Sequence, residues 1–178
     1  MNLDQFIVVY MNQSGTLAPW IDKTVIFFAQ YFPYLVVAGF LYFAFRNRRN
    51  FYRWCILAAE GIGAALIARG FVEVIRFFFH RPRPFAADPA IIALLNETSY
   101  SFHSGHAAFF FALSTVVSLY NKRWGVWFFV ASTIIGLARI MAGAHYLTDI
   151  IGGAVLGIVV GFAVNRCFKH FQSKAIPN

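Results

Sequence analysis

Three short stretches of this chain hold the residues able to do chemistry. Arg76 stands seven residues before Arg83-Pro84, His103-Ser104-Gly105-His106 follows, and Arg139 leads to His145 and Asp149. Guanidinium forks match phosphate oxygens and stay charged at any physiological pH. A Ser-Gly turn at a helix start exposes backbone N–H groups, and the helix dipole adds attraction for an anion. The same pair is also ordinary helix-start punctuation. His106, on the first turn beside those donors, is placed to pass a proton to a leaving oxygen. His145 and Asp149 share a helix face at a spacing of four. A carboxylate that accepts from one imidazole nitrogen fixes the tautomer and leaves the other nitrogen free to attack. Asp149 also suits a helix cap beside a chance histidine. The chemistry that needs this set is phosphate-ester cleavage. A divalent metal suits it poorly, because the arginines would repel it, and no cofactor is implied.

Such residues need a scaffold, and the composition names it. The chain has 178 residues, of which 60% are hydrophobic and 12% charged, with a mean hydropathy of +0.62. That leaves too little polar surface for a soluble globule and predicts an all-α polytopic membrane bundle. A span needs about 20 apolar residues to cross about 30 Å of hydrocarbon. Five runs qualify, at Val25–Phe45, Trp54–Phe79, Gly105–Tyr120, Gly125–Met141 and Ile150–Phe168. The third and fourth are short enough to borrow from their loops. Residues 1–20 form an N-terminal segment in which Leu3, Phe6, Ile7 and Tyr10 suit a short interfacial helix. It lacks the basic start and small-residue cleavage site of a removable signal peptide. We read one domain over 1–178, with a core at 25–168 and a cytoplasmic tail at 169–178.

Basic residues orient the bundle, because basic loops resist translocation. Arg46, Arg48, Arg49 and Arg53 fall between spans one and two, Lys122 and Arg123 between three and four, and Arg166, Lys169 and Lys174 after five. Alternating spans put these on one face, assigned to the cytoplasm, and the three stretches on the other. Cys55 and Cys167 then lie near the cytoplasmic ends, where no disulfide is implied.

The remaining cations resist that trend. Arg69, Arg76, Arg81, Arg83 and Arg139 sit in or just beyond the outer halves of the spans, where arginine requires a partner or a ligand. No carboxylate in sequence obviously balances them, which suggests an anion pocket. Arg69 and Glu73 read as a structural helix pair, whereas Arg76 reads as functional. Arg81 reads equally as phosphate contact or as an interfacial side chain reaching for the headgroups. Glu60 has no evident partner.

The three stretches resemble the tripartite signature of the type 2 phosphatidic acid phosphatase superfamily: Lys, six residues, Arg-Pro; Pro-Ser-Gly-His; Ser-Arg, five residues, His, three residues, Asp. The spacing agrees throughout, from Arg76 to Asp149. Three types depart: Arg76 stands for Lys, His103 for Pro and Ala138 for Ser. His103 adds a titratable group and frees a turn that Pro would stiffen. The resemblance implies a metal-free membrane enzyme in which His145 attacks phosphorus, Asp149 orients it and His106 protonates the leaving oxygen. Arg76, Arg83, Ser104, Gly105 and Arg139 would hold the phosphoryl oxygens, with His103 and Arg81 as further candidates. Its partner would be a lipid phosphate in the bilayer, and no nucleic acid. Arg81-Pro82-Arg83-Pro84-Phe85 and the small build resemble bacterial undecaprenyl-diphosphatases, which implies a plasma-membrane enzyme with an extracytoplasmic site. Phosphatidate and phosphatidylglycerophosphate stand as alternative substrates. A small anion transporter, or a degenerate lipid-binding member, is the non-enzymatic alternative.

Overall fold

The computed structural model describes residues 2–15, 18–46 and 51–175, and the side chains of these except at 15, 51–54 and 173–175. Arg48 and Arg49 of the first basic loop lie outside the described residues, as do the side chains of Arg53 and Lys174. The regular elements among the described residues are all helices: α1 (Leu3–Gly15), α2 (Pro19–Ile26), a π-helical turn (Phe27–Tyr31), α3 (Phe32–Arg46), α4 (Phe51–Phe78), a short α5 (Pro84–Ala87), α6 (Gly105–Tyr120), α7 (Lys122–Met141) and α8 (Leu147–Ala175).

Among the described residues four helices are long and apolar enough to cross a membrane: Pro19–Arg46, Cys55–Phe78, Lys122–Met141 and Leu147–Gln172. Three run past their expected bounds, for local reasons. The first starts at Pro19, whose fixed φ suits the first turn and which follows an extended Ala18. The third starts at Lys122 because the Asn121 side chain caps it, accepting from the Arg123 and Trp124 amides. The last helix continues to Ala175, so most of the expected tail is helical. By contrast α6 keeps its 16 residues, about 24 Å of rise. It need not match the bilayer thickness, since it is the central helix, packed by α4, α7 and α8 and buried along most of its length.

Close approach of α6 and α8 is what brings two of the three chemical stretches together. A Cβ on Gly153 would stand 2.7 Å from the Ser104 carbonyl oxygen, and one on Gly157 would stand 2.4 Å from that of Ala108. Only hydrogen leaves room at these places, the small-residue packing expected between membrane helices. The alternating helix directions then set the C-terminal ends of α4 and α7 and the N-terminal ends of α6 and α8 at one end of the bundle. At the opposite end Glu60 has partners that its sequence neighbours did not reveal: the Tyr120 hydroxyl and the Asn165 amide each donate to it at 2.6 Å.

The N-terminal helix is docked on the bundle. Val8 and Asn12, one turn apart, are fully buried, and Leu3, Phe6 and Tyr10 are exposed on other faces. The Asn12 amide donates to the Ile92 and Met141 carbonyls and accepts from the Ile92 amide, tying α1 to the outer loop and to the end of α7.

Because a methyl group on Gly157 would strike backbone, Gly157→Ala should destabilise the protein by about 1–3 kcal/mol. Gly63, with nothing within 4 Å of its Cβ position, is the control. Gly63→Ala should hold or raise the melting temperature of the detergent-solubilised protein, while Gly157→Ala lowers it. Equal behaviour of the two would contradict the tight α6–α8 contact.

Candidate active site

The end of α7 must turn sharply to deliver His145. Gly143 adopts φ +71°, and a Cβ there would meet Ile91 Cγ2 at 2.7 Å and the Ile92 carbonyl at 3.0 Å. The outer loop is stitched to this turn: the Phe85 amide donates to Gly143 O and the Leu94 amide to Ala142 O, each at 3.3 Å. His145 follows, almost wholly buried.

Its Nδ1 lies 2.9 Å from the Ser101 carbonyl oxygen and 3.7 Å from Asp149 Oδ2. A carbonyl can only accept, so Nδ1 carries the proton and Nε2 is left with a lone pair. Asp149 shares the helix face with His145 as its spacing predicts, but the closest group fixing the tautomer is Ser101. The Asp149 carboxylate instead accepts from the Tyr146 amide at 2.9 Å and from Arg81 Nη1 at 2.8 Å. It contributes negative charge beside the imidazole and caps the start of α8. Full enclosure pushes the His145 imidazolium down to about 4; Asp149 opposes this, while Arg139 and Arg83 assist it.

Arg83 faces the free nitrogen. Its Nη1 is 3.4 Å from His145 Nε2 and donates to Ala144 O at 2.9 Å. Its Nε donates to Ser99 O at 2.7 Å, and Nη2 donates to Ser99 Oγ at 2.9 Å and Glu97 Oε2 at 3.1 Å. Burial lowers its ordinary value to about 10, which leaves it charged at neutral pH. Arg139 also donates to Glu97, and its Nη1 reaches the Ala29 carbonyl in the π-helical turn at 3.4 Å. Arg76 donates to Glu73 at 3.1 Å and to the His103 carbonyl at 2.9 Å.

Two sequence expectations change here. The cations do have a balancing carboxylate, since Glu97 joins Arg83 and Arg139. Burial alone would raise the Glu97 carboxyl, but the two arginines more than offset that and hold it below its ordinary range. In addition, Glu73 lies closer to Arg76, at 3.1 Å, than to Arg69, at 3.8 Å. Arg81 is no free surface side chain: it pairs with Asp4 at 2.7 Å and Asp149 at 2.8 Å, with its guanidinium carbon 3.8 Å from the Tyr146 ring centre.

Ser104 is fully buried and caps α6, its hydroxyl accepting from the Ala107 amide at 3.4 Å. Its own amide donates to Asp149 O at 3.1 Å, a direct tie between the second and third stretches. Gly105 and His106 form the first turn, whose N–H groups lack partners within the helix. His106 lines a cavity of about 490 Å³ together with Arg139, Glu97 and Arg69. His103 packs its ring against Gly152 of α8, and burial lowers its ordinary value. Arg76 Nε, Arg139 Nε and His103 Nδ1 are buried with no hydrogen-bond partner. Unpartnered polar atoms of this kind are uncommon in a folded interior.

Sequence reasoning missed Glu97, Ser99, Ser101 and Asp4. Glu97 was discoverable, because buried guanidinium groups require a counterion and it is the only acid between Asp88 and Asp149. The carbonyl of Ser101 carries no signal in residue type.

Comparison with known proteins bears on the family and the fold. The family model described as PAP2 superfamily matches residues 54–173. The Bacitracin transport permease protein BcrC of Bacillus licheniformis is 28% identical over 89% of this chain and 76% of its own length. The Undecaprenyl-diphosphatase BcrC of Bacillus subtilis is 25% identical over 82% of this chain and 74% of its own. Among solved structures, Aquifex aeolicus LpxE superposes with a TM-score of 0.77 at 26% identity, covering 93% of this chain and 96% of that one.

The enclosed neutral imidazole makes stability depend on pH. Unfolded, His145 takes up a proton near 6.5; folded, it does so only near 4. The unfolded chain therefore binds more protons in that window, and stability falls as pH drops from 6.5 to 4. Glu97 adds a loss of the same sign below its ordinary 4.5. His145→Asn should flatten the melting temperature between pH 6.5 and 5; an unaltered slope would refute the buried neutral imidazole. Glu97→Ala strands two buried guanidinium groups and should cost about 1–3 kcal/mol. A thermal melt in detergent at pH 7 reads this directly, and an unchanged midpoint would refute the bridging role.

Proposed function

The chain belongs to the PAP2 superfamily, and from that membership and the site geometry we propose that it hydrolyses a phosphate from a lipid head group, with undecaprenyl diphosphate as substrate. One observation carries the reading: partnerless guanidinium N–H groups of Arg76 and Arg139 lie in the same site as an imidazole whose Nδ1 is tied to Ser101 O.

In this mechanism the terminal phosphoryl group lies among Arg76, Arg83 and Arg139. Its equatorial oxygens gain charge in the transition state, where preorganised donors contribute most. The His145 Nε2 lone pair forms a bond to phosphorus while the bond to the bridging oxygen breaks. His106 gives its proton to that oxygen. The resulting phosphohistidine keeps its Nδ1 proton toward Ser101 O, and its positive ring is balanced by Asp149. Water, losing a proton to His106, then attacks phosphorus and releases inorganic phosphate, returning His145 to its neutral state. Gly105 and the first amides of α6 face the anion with the positive end of the helix dipole. Cation chemistry is supplied by arginine throughout, so the reaction runs without a metal.

Two features support a lipid substrate at the extracytoplasmic face. The site lies at the bundle end opposite Arg46, Lys122, Arg123, Arg166 and Lys169, and basic loops favour the cytoplasm. The cavity beside His106 also has an apolar wall of Val37, Phe109 and Phe110, suited to the start of a hydrocarbon tail. The name of the Bacillus subtilis relative favours the diphosphate; phosphatidate and phosphatidylglycerophosphate are the competing substrates.

Purified protein in detergent should release phosphate fastest from undecaprenyl diphosphate, with slower release from the two monoesters. His145→Ala should abolish turnover, at least about 10³-fold, while retaining folded protein. Excess EDTA should leave the rate within about twofold. Equal rates on all three lipids would remove the specific substrate, and turnover by His145→Ala would remove the nucleophile. Anion flux in proteoliposomes without hydrolysis would instead support a small anion transporter.

A further inference from the structure

Arg69 has no role in the mechanism above, yet it stands in the cavity that contains His106. Its side chain is 47% exposed, and its nearest carboxylate, Glu73, is 3.8 Å away and closer to Arg76. Arg69 Nη1 lies 2.8 Å from the point a Cβ on Gly105 would occupy, so its guanidinium rests on the first residue of α6. Arg69 and His106 therefore flank the same helix start. His145 and Arg83 do not line this cavity. The cavity is thus the leaving-group side of the site, and attack comes from the other.

Leaving groups differ in charge. A phosphate monoester departs as a neutral alcohol once His106 has protonated its oxygen. A diphosphate departs as a lipid monophosphate, whose remaining phosphoryl oxygens carry negative charge beside the same histidine. An extra guanidinium on that side serves the second case and has no function in the first.

We propose that Arg69 is the contact for the inner phosphate of a lipid diphosphate, and so sets the preference for diphosphate over monophosphate head groups. The inference rests on the lipid-phosphatase reading above. When the bond between the bridging oxygen and the terminal phosphorus breaks, the electron pair goes to the bridging oxygen, which takes the His106 proton. Arg69 holds the two oxygens of the inner phosphate that neither join the tail nor receive that proton. Its fork matches such a pair, which a point ammonium would not.

Diacylglycerol pyrophosphate and phosphatidate share one tail and differ only by the outer phosphate, so they isolate this contact. Phosphate release from each is measured with wild-type protein, Arg69→Ala and Arg69→Lys in the same detergent. The ratio of kcat/KM for the diphosphate to that for the monophosphate should fall about 10- to 100-fold in Arg69→Ala, the loss expected of a charge-assisted hydrogen bond. Arg69→Lys should recover part of it by keeping charge without the fork. A ratio unchanged in Arg69→Ala overturns the assignment, whether both rates fall together or neither falls. Wild-type protein that cleaves the monophosphate but not the diphosphate overturns it through the substrate reading instead. Wild-type protein that cleaves neither removes the lipid-phosphatase reading itself.

Discussion

Holding several guanidinium groups together at one end of an apolar bundle is the constraint on which the rest of this structure depends. A buried cation loses far more solvation than one neighbour restores, so each must be surrounded by acceptors. The described ion pairs at this end involve five arginines, Arg69, Arg76, Arg81, Arg83 and Arg139, and four carboxylates, Asp4, Glu73, Glu97 and Asp149. Carboxylates thus balance most of the charge and leave a cationic surplus. Carbonyl groups supply further acceptors, and two Nε donors receive none. The site is stable enough to fold and still short of negative charge, which is the condition for gripping an anion.

The carbonyls explain why irregular backbone is placed here. A helix spends its carbonyls on its own ladder, so it cannot solvate a neighbouring arginine except at a defect or an end. The loop between α5 and α6 offers Ser99, Ser101 and His103 to Arg83, His145 and Arg76. The turn after α7 offers Ala144, and the π-helical turn offers Ala29. Such turns recur at functional positions. Non-helical backbone near a membrane needs protein around it. Here α1 provides part of that cover, holding Ile92 through Asn12 and reaching Arg81 and Thr148 through Asp4.

Much of this was legible in the sequence because helix periodicity and membrane thickness restrict what apolar runs can do. The helices, their alternation and the gathering of Arg76, Arg83, His106, Arg139, His145 and Asp149 at one end follow from residue types and spacing. The partners of those residues were less accessible. Asp4 is 77 positions from Arg81, and nothing local links them. Both Arg69 and Arg76 are within one turn of Glu73, so spacing allows either pair and only packing selects the closer. Ser101 acts through its carbonyl, which every residue possesses. The side chain that orients His145 was sought among acids because acids are visible in a sequence, whereas the nearest acceptor is backbone.

Two departures from the family pattern then explain each other. His103 stands where the pattern has Pro, and Arg76 where it has Lys, and the two are in contact: Arg76 Nη2 donates to the His103 carbonyl at 2.9 Å while Nη1 donates to Glu73 at 3.1 Å. A proline would stiffen the segment leading into α6 through its own ring. With His103 in that place, rigidity has to come from contacts, and the His103 ring packs against Gly152, where only a glycine leaves space. A guanidinium fork holds two acceptors on different elements at fixed separation, whereas a lysine ammonium has no such plane. Arg76 therefore serves α6 as a brace, and its Nε stays unpartnered on the remaining side, available to the proposed anion. The substitutions at 76 and 103 are best understood as one solution to holding the helix start, in which backbone stiffness has been replaced by a charged fork and a packed ring.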